Sequence, residues 1–136
     1  MHNFVLDSRL AQDSHFIYDL PLCQVRLENV RNFPWLILVP RIANLSEVHQ
    51  LTTNQQTQLL NESSQCAQAL LTLFPLDKMN VGSLGNVVSQ LHWHVVGRRK
   101  DDDAWPRPVW GFNPTAPWQE DEINMIKSRL IAQFDQ

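Results

Sequence analysis

Between residues 90 and 96 the chain reads Gln90-Leu91-His92-Trp93-His94-Val95-Val96, with two imidazoles two positions apart in a run that alternates polar and apolar side chains. Alternation of this kind predicts a β-strand, on which successive side chains point to opposite faces. Gln90, His92 and His94 then share one face, while Leu91, Trp93 and Val95 fill a core behind them. Neighbours in the polar row stand roughly 6.5–7 Å apart along the strand. Two imidazoles and an amide in a row suit chemistry at phosphorus or the binding of a metal ion. A metal site needs a third and usually a fourth ligand. Asp101, Asp102 and Asp103 are the nearest candidates, and they read equally as a solvated loop.

The elements that must carry this row follow from periodicity. Asp7 to Ser14 suits a short helix, and Phe16-Ile17-Tyr18 and Cys23 to Leu27 suit two strands turned back at Asp19-Leu20-Pro21, an antiparallel pair. Trp35 to Val39 is apolar throughout and bounded by Pro34 and Pro40, which predicts a central strand buried on both faces. Thr53 and Gln56 form a capping-box pattern, after which Leu59, Ser63, Cys66, Leu70 and Leu73 recur at helical spacing up to Phe74-Pro75. Lys78 to Val81 leads through a turn at Gly82 to Gly85 into the histidine strand. Residues 100–117 form a Pro- and Trp-rich loop with no clear period, in which tryptophans pin extended chain more readily than they stack on a ligand. The segment 118–136 closes the chain as a helix whose face carries Ile123, Ile126, Leu130 and Phe134. The class is α+β, one domain over 1–136.

Composition narrows the function. The 136 residues carry a formal charge of −3, which argues against a nucleic-acid partner, because that binding rests on neutralising many phosphates with Lys and Arg. Cys23 and Cys66 lie far apart and outside any CxxC pattern, so a reduced, cytoplasmic setting is expected. The start, Met1-His2-Asn3-Phe4, shows no basic region followed by an apolar stretch, and no later run approaches the ~20 apolar residues of a membrane span. The protein is expected to be soluble and unprocessed.

The row Gln90 to Val96 resembles the signature of the histidine triad (HIT) family, in which three histidines alternate with apolar residues on one strand, with glutamine here at the first position. Leu27-Glu28-Asn29, Trp35 to Arg41 and Asn80 to Val88 are similar to that family's nucleotide-binding elements, in the same order, so the likeness spans about residues 23 to 98. Leu84 to Gln90 and Trp105 to Gly111 resemble a bacterial branch described as diadenosine-polyphosphate-hydrolase-like. The resemblance implies a HIT-like fold, with an antiparallel sheet of about five strands, one long helix and a C-terminal helix, and it implies a homodimer.

It also implies hydrolysis or transfer at the α-phosphate of a nucleotide conjugate through a covalent nucleotidyl-histidine, with no cofactor and no metal. In that scheme His92 is the nucleophile, held through its second nitrogen by the main-chain carbonyl of residue 90, and His94 donates to a phosphate oxygen. Gln90 is an orienting amide that cannot deliver a proton at neutral pH. Asn29 faces the ribose, and Asn80, Gly85, Asn86 and Arg98 face the phosphates, with Gly85 small so that its N–H can approach them. Val87 stands near where many members place a hydroxyl. A nucleotide-binding or regulatory module without turnover is the competing reading.

Overall fold

The computed structural model describes residues 3–136; Met1 and His2, part of the start read above as leaderless, lie outside them. Five strands form one antiparallel sheet: β1 (Ser14–Asp19), β2 (Cys23–Glu28), β3 (Trp35–Pro40), β4 (Lys78–Ser83) and β5 (Trp93–Arg98), in the spatial order β1-β2-β3-β5-β4. Three α-helices accompany it: α1 (Ser8–Asp13), α2 (Thr53–Leu73) and α3 (Glu120–Phe134). The expected α+β class, with one long helix and a C-terminal helix, is what is observed.

β3 is the middle strand and all six of its residues are buried. Its alternation divides them between two clusters. Leu36 and Leu38 join α2 and α3 through Leu59, Cys66, Leu70, Ile126 and Leu130. Ile37 and Val39 face the other way, into a cluster with Trp35, Val96, Val109 and Leu10. The Pro- and Trp-rich segment is therefore the second layer of the fold. It lacks a period because it packs through turns and bends over 100–111 and irregular chain beyond, and each fully buried Val or Ile in that layer contributes roughly 1.5–3 kcal/mol of transfer free energy.

Helix α2 starts one residue earlier than the spacing predicts. Thr52 is the N-cap, its side chain accepting from the Gln55 N–H while the Gln55 side chain accepts from the Thr52 N–H. The backbone leaves extended geometry at Thr52, which selects this pair over Thr53 and Gln56. The buried helix face also carries Glu62, whose carboxylate accepts from the Leu22 and Cys23 N–H groups at 2.9 and 2.8 Å and so ties the β1–β2 turn to the helix.

The histidine strand departs further from expectation. Pairing of β5 with both neighbours begins at Trp93, opposite Leu38 on one side and Ser83 on the other. Gln90, Leu91 and His92 precede the ladder; the Leu91 N–H bonds instead to the Leu45 carbonyl at 2.9 Å. With no partner strand to enforce the pleat there, Gln90 is free of the alternation that holds further along.

Candidate active site

His92 and His94 remain on one side of the sheet, with ring centroids 4.8 Å apart in an edge-to-face arrangement. Both are buried, at 7% and 5% exposure. Leu91 and Val95 point the other way into the α2–α3 core, and Trp93 follows them, donating from Nε1 to the Ser63 hydroxyl at 2.9 Å.

The partners of the two rings fix where their protons sit. His92 Nδ1 lies 2.8 Å from the Gln90 main-chain oxygen. A carbonyl only accepts, so Nδ1 carries the hydrogen and Nε2 keeps a free lone pair. His94 has the opposite arrangement. Its Nδ1 accepts from the Trp35 indole N–H at 3.0 Å, which leaves the hydrogen of neutral His94 on Nε2. That nitrogen has no hydrogen-bond partner among the described residues. Burial, reinforced by the neighbouring His92, pulls the His94 pKa from its usual 6.5 down to about 4, with the Leu84 carbonyl opposing the shift. His94 is thus a neutral N–H donor near pH 7, beside a ring that presents a lone pair.

His92 opens into a cavity of about 360 Å³. Trp35, Val30, Val109, Trp110 and Phe112 make its apolar walls, and the β4–β5 loop closes it with Leu84, Asn86, Val87 and Val88. His94 lies behind His92 and is not itself part of the lining; Trp110, which is, meets it edge-on at 5.2 Å. Trp105 and Trp118 serve packing: Trp105 lies against the Arg98 guanidinium at 5.5 Å, and the Trp118 indole donates to the Glu28 carbonyl at 3.0 Å.

Other residues singled out by the sequence are placed differently. The side chain of Gln90 turns away from the imidazoles, toward Val5 and Asp7. Arg98 is 1% exposed and donates to Asp102 at 2.8 and 3.1 Å and to the Asn80 side-chain oxygen at 2.8 Å. Asn80 and Arg98 therefore occupy each other, and neither lines the cavity. Burial pushes the Asp102 carboxyl up, but hydrogen bonds from Arg98 and three main-chain N–H groups outweigh it and hold the pKa at about 2. Asp102 is thereby committed to an ion pair, and no group of three metal-ligating side chains occurs among the described residues.

Asn29 accepts from the Trp118 N–H at 3.1 Å; its neighbour Glu28 lines the cavity instead. Burial, with a smaller push from Asp13, raises the Glu28 pKa to about 7. A carboxylate at the end of a strand entering the site was the available signal in the sequence. Asn86 does line the cavity, whereas Gly85 does not. A side chain at Gly85 would meet the Val88 carbonyl at 2.8 Å, so the tight loop itself demands glycine.

A model of the HIT domain matches residues 9–101. No curated protein matches the sequence. Among solved structures, a histidine triad (HIT) protein from Sinorhizobium meliloti 1021 is 45% identical over 96% of both chains, with a TM-score of 0.92. A histidine triad protein from Marinobacter aquaeolei VT8 is 43% identical, covering 99% of this chain and 98% of its own, at a TM-score of 0.94. One from Bradyrhizobium japonicum is 42% identical over 97% and 98%, at 0.92.

Proposed function

The chain belongs to the HIT domain family, and from that premise we propose that it hydrolyses or transfers at the α-phosphate of a nucleotide conjugate, such as a diadenosine polyphosphate or an adenosine phosphoramidate. The observation that carries this reading is the opposed pair of tautomers: a lone pair on His92 Nε2 beside an N–H on His94 Nε2. The first suits attack on phosphorus and the second suits a phosphate oxygen gaining charge.

In the first step His92 Nε2 forms a bond to the α-phosphorus while the bond to the leaving group breaks. The leaving group departs with that electron pair and takes its proton from solvent, since an amide at position 90 supplies none. Water or an acceptor hydroxyl then attacks phosphorus, its proton passing to solvent, and His92 is released. Asn86 and the main chain of the β4–β5 loop face the phosphate, and Glu28, in place of Asn29, faces the ribose. The similarity of Leu84 to Gln90 and of Trp105 to Gly111 to the diadenosine-polyphosphate-hydrolase-like branch supports the choice of substrate. The buried, free thiols of Cys23 and Cys66 suit a cytoplasmic enzyme. Leu60 and Leu71, both more than half exposed on one stripe of α2, support a homodimer through that helix, with no nucleic-acid partner.

Mass spectrometry of the protein exposed to adenylyl donors tests the mechanism: an adduct on His92 is expected. His92→Ala should remove turnover by several orders of magnitude while nucleotide affinity stays within about tenfold, because the lost bond forms chiefly in the transition state. One observation favours a binding module instead: no Lys or Arg lines the cavity. A wild-type protein that binds nucleotides and turns over none of them would establish that alternative.

A further inference from the structure

Gln90 stands at the head of the histidine row, yet its side chain makes two hydrogen bonds elsewhere. Oε1 accepts from the Asp7 N–H at 2.8 Å, and Nε2 donates to the Val5 carbonyl at 2.9 Å. These are the peptide groups on either side of Leu6, which face the same edge of an extended chain. A residue of a neighbouring parallel strand would make the same two bonds. A primary amide can do this because its donor and acceptor lie side by side. The two nitrogens of an imidazole point apart and cannot meet both groups.

Further ties hold the same segment. Arg9 donates from Nη1 to the Val87 carbonyl at 3.0 Å, and Phe4, Leu6 and Val88 pack against the Trp-containing cluster. The carboxylate of Asp7 is paired with Arg9 at 3.2 Å. Residues 3–7 thus form a strap across the outside of the loop that closes the cavity. Residue 90 holds the strap with its side chain and holds His92 Nδ1 with its main-chain carbonyl.

We propose that Gln90 is a positioning residue: its amide latches the N-terminal strap and so fixes the carbonyl that orients His92. The glutamine replaces a histidine at the head of the row because the strap demands an amide there. Only the kinetic part of the test rests on the nucleotidyl-transfer reading.

Gln90→Ala should lower kcat about tenfold to a hundredfold with KM nearly unchanged, the scale expected when a reacting group loses its orientation. In ¹⁵N NMR the His92 ring should change from one Nδ1–H form to a mixture of tautomers. Gln90→Glu should be deficient near pH 7.5, where a carboxylate repels the Val5 carbonyl. Relative to wild type it should recover toward pH 5, where the protonated acid again offers a donor and an acceptor side by side. Asp7 has φ −55°, so Asp7→Pro deletes the N–H without bending the chain and should reproduce Gln90→Ala. Asp7→Asn, which keeps both the N–H and a side-chain oxygen to cap α1, should not.

The proposal is overturned if folded Gln90→Ala keeps the wild-type kcat and a single His92 tautomer, or if the ratio of Gln90→Glu to wild type is flat from pH 5 to 7.5. A wild type that turns over no nucleotide would remove the functional reading and leave the NMR comparison to decide the latch.

Discussion

Glu28→Gln should make the fold markedly more sensitive to acid, because it unmasks a titration that Glu28 now offsets. His94 has a folded pKa of about 4 against 6.5 when unfolded. Its contribution is complete above the unfolded value and is lost as pH falls toward the folded one. From pH 6.5 to 4.5 the loss amounts to roughly 2 kcal/mol, somewhat under two pH units at ~1.4 kcal/mol each because the unfolded imidazole is only half protonated at the upper end. Glu28 works in the opposite sense. Its folded pKa of about 7 lies above the ordinary 4.5, so its contribution is complete below 4.5 and is lost as pH rises toward 7. Its half-buried position and the solvent screening that follows reduce that share to about 1–2 kcal/mol.

The two groups oppose each other across the same window, and wild type should lose at most about 1 kcal/mol on acidification to pH 4.5, against about 2 kcal/mol for Glu28→Gln. Asp7 and Glu122 are held low by bonds from Arg9 and from the Gln119 N–H respectively. Their losses come below the window. Urea unfolding at half-unit steps from pH 7 to 4.5 measures the effect, and ~2 kcal/mol corresponds to a midpoint shift of roughly 1 M for a chain of this size. A Glu28→Gln profile that overlays wild type would refute the reasoning. So would His94→Gln still losing stability between pH 6.5 and 4.5, since that variant leaves Glu28 to act alone and should gain stability there.

Arg98→Met should destabilise by about 3–5 kcal/mol in the same urea assay, since it leaves Asp102 charged and unpaired in the interior, with nucleotide affinity essentially kept because Arg98 lies outside the cavity. Exhaustive chelation should leave turnover and thermal midpoint unchanged, and a drop in either would point to a bound metal. Light scattering at micromolar concentration should return a dimer that Leu60→Lys with Leu71→Lys dissociates; a wild-type monomer throughout would remove the α2 interface.

Local pattern was enough for the elements that repeat. The apolar run from Trp35 to Val39 read as a central strand because only a strand buried on both faces lacks polar positions, and the recurrence of Leu59, Ser63, Cys66 and Leu70 marked a helix face because 3.6 residues complete a turn. The pairing of His92 with His94 was legible for the same reason: both sit where alternation holds or nearly holds. The family resemblance also pointed to the Gln90 carbonyl as the holder of His92, and the structure has that contact, between residues two apart.

What lay beyond reach depended on chain that is distant in sequence. Strand β5 begins at Trp93 because β3 and β4 both start pairing there, so the pleat expected at Gln90 is never imposed, and its amide meets a strap more than 80 residues away. Asn80 and Arg98 look like phosphate ligands in isolation; only the packing of β4 against β5, with Asp102 beside them, shows that they satisfy each other. The site's wall comes from an aperiodic segment, which tertiary contact alone could bring over the histidines. Side-chain type and spacing set which chemistry these residues are capable of, and the tertiary structure decided which of them face the cavity, because burial forces every polar group to find a partner and the nearest one is seldom near in sequence.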